Sequence, residues 1–289
     1  MQQAGPCTHL RDIMHNGKAN NADGRRGELV FIGLGLQSNR DLTLAGLAAA
    51  QGCDRRFAEF YTSSPGVSVA SLEETIGKPI EVLSREDVEQ DEVILTAADQ
   101  GSVCLLTGGD PMTATTHIDL RLRAVERGIA TQVIHGVSII TAAAGVLGLQ
   151  IYKFGRTTTL AYPEKNYFPL SPYHVIRQNR ERGLHTLVLL DIQEDRQRYM
   201  TIHEGVELLL EMEQRCHDGV ITADTMLAGV ARASSPKPVV KAGYSSQLLE
   251  TDFGPPLHCL VVPGELHKME ARALVELAGA PPELLTEEG

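Results

Sequence analysis

The sequence predicts an α/β protein with two α/β domains, and three observations carry that prediction. Apolar runs of strand length alternate with helical patterns from Leu29 to Leu147, the spacing of βαβ units around a parallel sheet. Around residues 148–160 this alternation gives way to adjacent β-rich runs with fewer crossover helices, which suits a mixed second sheet. Inside the first half, the apolar run Val103–Leu106 ends in Gly108-Gly109-Asp110-Pro111-Met112-Thr113-Ala114-Thr115-Thr116-His117, and a helical pattern follows. A strand ending in glycines, an Asp-Pro and hydroxyl residues ahead of a helix has the layout of a ligand crevice at the carboxyl edge of a sheet.

Taken in order, residues 1–27 are polar, rich in Gly and Asn and without periodicity, and are expected to be a disordered N-terminal extension. The first domain is expected over residues 28–152. It opens on the strand Leu29-Val30-Phe31-Ile32 and the turn Gly33-Leu34-Gly35-Leu36, and Asp41–Ala48 reads as a capped helix. A strand at Phe57–Tyr61 comes next, then an acidic helical region with a short strand at Ile80–Leu83. Past the Gly-Gly-Asp-Pro element, whose threonines can cap the next helix, come the strand Thr131–His135 and the small-residue helix Val137–Leu147. The second domain, expected over 153–289, offers a helix at 173–182, a strand at Thr186–Asp191 and a helix at 203–216 with Val206, Leu209, Leu210 and Met212 inward. Strand-like runs at Met226–Ala231, Pro238–Ala242 and His258–Val262 follow, then helices near 266–278 and 281–287.

Composition narrows the function. The chain of 289 residues carries a formal charge of −11 and no basic block, which disfavours nucleic acid as a main substrate. Seven Tyr, six Phe and no Trp also leave little for base stacking. An acidic surface suits a basic face on a protein partner. Five scattered cysteines without CxxC spacing read as buried small hydrophobes in a reducing compartment. No apolar run reaches the ~20 residues of a membrane span, so no membrane association and a cytoplasmic location are expected.

Gly33-Leu34-Gly35 after a first strand superficially resembles a dinucleotide fingerprint, but the third glycine is missing. Asp110 is the strongest polar candidate, its plainer role being to cap the turn before Pro111. Glu59 and His135 end strands, His258 precedes the last apolar run and His117 lies one helical step beyond the threonines; each alone suits a structural role. No P-loop, HExxH, GxSxG or metal-ligand cluster is present, and no nucleophile sits beside a base. No catalytic residue and no metal site is assigned, and the chemistry is expected from a cofactor.

In order along the chain stand FIGLGL (31–36), FAEFYTS (57–63), LSREDVE (83–89), GDPMTATTH (109–117), IHGVSI (134–139), GLQIYKFG (148–155), RGLHTLVLLDI (182–192), ARA (231–233) and PPLHCLVVPGELHKMEA (255–271). Together they resemble the diphthine synthase family, from about Val30 to the C-terminus, and the GDP element is shared with the wider tetrapyrrole methylases. The resemblance implies two α/β domains of the tetrapyrrole-methylase (class III methyltransferase) type, with S-adenosyl-L-methionine as methyl donor in the inter-domain cleft of a homodimer. It implies trimethylation of the amino group of the 3-amino-3-carboxypropyl-histidine of translation elongation factor 2. The short loop after Asp191 favours that archaeal-type reaction over a fourth methyl added as an ester. By motif, the implied cofactor contacts are Leu36, Asp110, Thr113, Ser138, Ile139, Leu190, Ala233 and His258. A same-fold methyltransferase of tetrapyrroles, a non-catalytic adenosine-ligand sensor and a dehydrogenase are the competing readings.

Overall fold

The computed structural model describes residues 26–61, 68–90, 92–165 and 167–285. Its first half is a parallel sheet. Strand β1 (Arg26–Gly33) is followed by α1 (Leu44–Gly52), β2 (Arg55–Glu59), α2 (Val69–Ile76), β3 (Glu81–Val82), α3 (Arg85–Glu89) and α4 (Val93–Gln100). Then come β4 (Ser102–Thr107), α5 (His117–Glu126), β5 (Ile129–Ile134) and α6 (Ile139–Leu147). The strand order is β3-β2-β4-β1-β5, with every pair parallel.

Alternation along β1 explains the layering, because successive side chains leave a strand on opposite faces. Leu29 and Phe31 pack with Val88, Ile94, Leu95 and Leu120 of α3, α4 and α5. Val30 and Ile32 pack with Ala50, Leu72 and Ile76 of α1 and α2. β1 begins two residues inside the stretch read as a disordered extension. Backbone pairing of Arg26 with Ile129 and of Glu28 with Ser102 needs no apolar side chain, so hydrophobic patterning could not reveal it. The rest of that extension lies outside the described residues.

The second half continues with β6 (Thr158–Leu160), α7 (Ser171–Arg180), β7 (Thr186–Leu190), β8 (Ile192–Gln193), β9 (Arg198–Tyr199) and α8 (Ile202–Cys216). It closes with β10 (Met226–Ala231), β11 (Val239–Tyr244), α9 (Ser245–Leu249), β12 (His258–Val262) and α10 (Lys268–Ala278). The sheet runs β11-β10-β12-β7-β6. Only β6–β7 is parallel, so the mixed second sheet is as the sequence suggests. One face is covered by α7, α8 and α9 through Tyr173, Ile176, Val206, Leu209, Met212 and Leu248.

The other face is covered by α10 and also by α6: Ala143 and Leu147 share a core with Leu187, Val230, Val261 and Leu274. Helix α6 thus precedes residue 152 in the chain but packs on the second sheet. Its small residues permit that close approach, with Ala143 and Leu147 fully buried. The segment read as a last helix at 281–287 is a single 3-10 turn over Pro282–Leu285 in the described residues. In α8 the inward set is wider than expected, since Ile202, Gly205 and Leu208 are buried too while Leu210 is only partly so. No helix among the described residues is long and apolar enough to cross a membrane.

Candidate functional site

The chain leaves β1 toward β2, passing β4, and leaves β4 toward β5, passing β1. Connections that diverge in this way open a crevice at the carboxyl ends of the two strands. Gly35 and Gly109, both left-handed at φ 74° and 70°, bridge the two loops with reciprocal N–H···O bonds of 3.2 and 2.7 Å. The end of β5 presses in beside them. A Cβ on Gly33 would lie 2.5 Å from the Gly136 nitrogen and 2.6 Å from the Gly109 oxygen, so only glycine fits.

Asp41 does not cap α1; that role falls to Thr43, whose Oγ1 accepts from the Gly46 N–H at 3.0 Å. Asp41 Oδ2 instead accepts from the backbone N–H groups of Leu36, Gln37 and Ser38 at 3.2, 2.8 and 3.3 Å. It thereby holds the loop that presents Leu36.

Asp110 is 9% exposed, and its Oδ1 accepts from the Met112 N–H at 2.9 Å and the Thr113 hydroxyl at 3.3 Å. Its Oδ2 lies 2.7 Å from His135 Nδ1. The turn-capping role and a wider tie across the sheet therefore coexist. The threonines of this loop do not cap α5: Thr116 holds the N-cap position, but its hydroxyl donates to Glu89 at 2.9 Å. His117 is withdrawn into the interior, with Nδ1 3.0 Å from the Pro111 carbonyl and Nε2 3.6 Å from Glu59. Burial lowers its pKa below the usual histidine value, although the Pro111 carbonyl works in the opposite direction.

The second sheet supplies the opposite wall from the ends of β6, β7 and β10 and the start of β12, where Ala231 pairs with His258. Burial lowers the pKa of His258, favouring a neutral ring. Its Nδ1 accepts from the Ile202 N–H at 3.2 Å, and its Nε2 donates to the Pro255 carbonyl at 3.1 Å. Asp191, just past β7, accepts at Oδ2 from the Tyr162 N–H and the Gln193 amide, both at 3.1 Å.

Leu36, Asp110, Thr113, Ser138, Ile139, Leu190, Ala233 and His258 all line one cavity of about 350 Å³ with walls from both sheets. That volume lies within the range of small-molecule sites. His117 and His135 are not among its lining residues. The cavity is also lined by Tyr61, Arg85, Asp191 and Arg232, which motif reading did not single out as site residues. Two of its lining residues, Ala114 and Arg232, hold positive φ of 54° and 52° without being glycine, a strain typical of functional loops.

The profile of the Tetrapyrrole (Corrin/Porphyrin) Methylases matches residues 28–242. A diphthine synthase of Methanothermobacter thermautotrophicus is 48% identical over 254 residues, spanning 88% of this chain and 96% of the relative. One from Methanosarcina acetivorans is 48% identical over 265 residues, spanning 90% and 99%. This chain belongs to the diphthine synthase family. A solved diphthine synthase structure superposes with a TM-score of 0.83 at 38% identity, covering 90% of this chain and 99% of that one. As a diphthine synthase relative, the chain is a methyltransferase of diphthamide biosynthesis.

Membership clarifies motifs that the cavity does not use. Lys153 of YKFG, His185 of RGLHTL and Glu270 of HKMEA meet away from it, with Glu270 2.7 Å from Lys153 Nζ and 3.0 Å from His185 Nε2. Backbone N–H groups of Gln150 and His267 donate to the same carboxylate at 2.8 and 2.9 Å. Burial pushes the Glu270 pKa up, but Lys153 and these donors outweigh it and hold it at about 2. These contacts fasten the segment after α6 to α10 and to the residue before β7.

Proposed function

We propose that this chain transfers three methyl groups from S-adenosyl-L-methionine to the α-amino nitrogen of the 3-amino-3-carboxypropyl-histidine of translation elongation factor 2, giving diphthine. Leu36, Asp110, Thr113, Ser138, Ile139, Leu190, Ala233 and His258 are the proposed cofactor contacts. The carrying observation is that these residues, drawn from six separate motifs, converge on one cavity.

The residues present suit that cofactor. A Cβ on Gly109 would meet no neighbouring atom closer than 3.9 Å, so its absence leaves open space on the cavity wall. The first N–H of α6, at Ile139, has no carbonyl a turn below it and can serve a carboxylate. Ser138 fixes that helix start by accepting from the Ile140 N–H at 3.2 Å. Asp110 and Asp191 place negative charge where a cationic donor would sit. When bound, S-adenosyl-L-methionine supplies a methyl group on a good sulfonium leaving group.

The protein's share of the work is then alignment and exclusion of water, which in favourable intramolecular cases is worth about 7–11 kcal/mol. An α-amino group titrates near pKa ~8, so a neutral fraction exists near pH 7 without a strong enzymic base. This accords with a cavity in which, among the described residues, no nucleophile is hydrogen-bonded to a base. The exposed apolar stripe Ile118, Leu122 and Val125 on α5 supports a homodimer, testable by light scattering.

The test of the function is mass spectrometry of elongation factor 2 carrying the unmethylated precursor, after incubation with enzyme and donor. A gain of three methyls is expected. Four would indicate additional ester formation, and none would overturn the reading in favour of a binding-only protein.

A further inference from the structure

Among the described residues lining the cavity, Arg85 is a cation whose guanidinium makes no hydrogen bond within the chain. Arg85 opens α3, and its side chain, 63% exposed, stands at the rim. Its guanidinium carbon lies 5.1 Å from the centroid of the Tyr61 ring, and its Nε comes no nearer than 3.9 Å to Glu89. Arg232, the other guanidinium lining the cavity, is anchored at one end: its Nη1 donates to the Phe253 carbonyl at 2.9 Å and also to the Pro255 carbonyl. His258 uses both ring nitrogens within the chain. The remaining ionisable groups of the lining are Asp110 and Asp191, which repel an anion, and the Tyr61 phenol and Cys259 thiol, which burial keeps protonated.

In the reaction proposed above, the acceptor is itself an amino-acid end, with a carboxylate on the carbon that bears the reacting nitrogen. Two acidic side chains in the cavity would oppose entry of that carboxylate unless a cation met it. We propose that Arg85 binds the acceptor's α-carboxylate and so sets specificity for an aminocarboxypropyl group over a simple amine, an inference that rests on the proposed function.

An arginine fork matches the two carboxylate oxygens, and stacking on Tyr61 limits its freedom before the acceptor arrives. The methyl donor also carries an α-carboxylate, but the start of α6 offers that group a separate backbone site on the cavity wall. Arg85 is placed at the exposed rim, where a side chain on a macromolecule enters first.

Two variants test the assignment, Arg85→Gln and Arg85→Lys, with steady-state methylation of precursor-bearing elongation factor 2 and calorimetric binding of S-adenosyl-L-homocysteine. Arg85→Gln should lower kcat/KM for the acceptor roughly 10- to 100-fold, the scale of one charge-assisted carboxylate contact. Arg85→Lys should recover part of that loss. Both should bind S-adenosyl-L-homocysteine within about twofold of wild type and melt at the same temperature, since the replaced side chain is mostly exposed. An unchanged kcat/KM would overturn the inference. So would a parallel loss of S-adenosyl-L-homocysteine affinity, which would assign Arg85 to the cofactor's carboxylate. A wild-type enzyme that binds S-adenosyl-L-homocysteine but never methylates the acceptor would instead refute the proposed function, and this inference with it.

Discussion

Asp110 Oδ2 stands 2.7 Å from His135 Nδ1, joining the loop after β4 to the residue just past β5 across the intervening β1. The aspartate is buried, while the His135 side chain is 73% exposed, so the histidine side of the pair faces solvent. Asp110 therefore does three things at once: it shapes its own turn, receives the Thr113 hydroxyl and braces the crevice.

Asp110→Asn keeps an acceptor for the Met112 N–H but removes the charge beside His135. Affinity for S-adenosyl-L-homocysteine should fall about 10-fold or more, the worth of a charged hydrogen bond, with the fold intact. Calorimetry and a melting curve check both parts. Unchanged affinity with reduced kcat would instead give Asp110 a role in the chemical step.

Gly136→Ala tests the crowding of the three strand ends. A Cβ there would overlap the Gly109 carbonyl oxygen and crowd Gly33, and backbone cannot rotate aside as a side chain can. Denaturant unfolding should show a loss of about 1–3 kcal/mol, together with weakened cofactor binding. An unaltered midpoint would mean the loops are looser than this packing implies.

Glu270 makes stability depend on acid. Its folded pKa of about 2 lies below the ordinary carboxylate value, so its contribution is complete above about pH 4.5 and is lost as pH falls toward 2. His185, lowered by burial, adds a loss that begins as pH drops below the usual histidine pKa near 6.5. Glu270→Gln should therefore be less stable at neutral pH by roughly 2–4 kcal/mol and show a flatter pH dependence below pH 4.5. Urea titrations at pH 3, 5 and 7 would reveal an unchanged slope if this account is wrong.

His258→Phe keeps an aromatic ring but strands the Ile202 N–H at the buried start of α8. An unsatisfied buried donor costs about 1–3 kcal/mol, so the variant should unfold at lower denaturant concentration and bind S-adenosyl-L-homocysteine less tightly. Wild-type stability in both assays would show that the ring's shape alone matters there.

Much of the site was legible in the chain. The turn after β1, the Gly-Gly-Asp-Pro loop and the start of β12 each stand beside an apolar run that announces a strand, so Leu36, Asp110 and His258 could be placed at strand ends. Arg85 and Tyr61 could not be singled out as site residues. They lie 24 positions apart on separate elements, and no local pattern records that one stacks on the other. The role of Asp41 is hidden for a related reason: helix-capping chemistry and loop-bracing chemistry use the same side chain, and only three-dimensional proximity to the Leu36–Ser38 amides decides between them.

The sequence by itself determined the α/β class, the passage from a parallel to a mixed sheet and the residues that carry the family's motifs. These follow from side-chain periodicity and local turn chemistry, which act over a few residues. Only the tertiary structure decided that α6 covers the second sheet, that His117 turns inward toward Glu59, and that Lys153, His185 and Glu270 share one buried charge cluster. Periodicity states that a face must be buried without naming what buries it. A buried carboxylate takes whatever donors the fold delivers, and for Glu270 the nearest of those, the Lys153 ammonium, comes from 117 positions away in the chain.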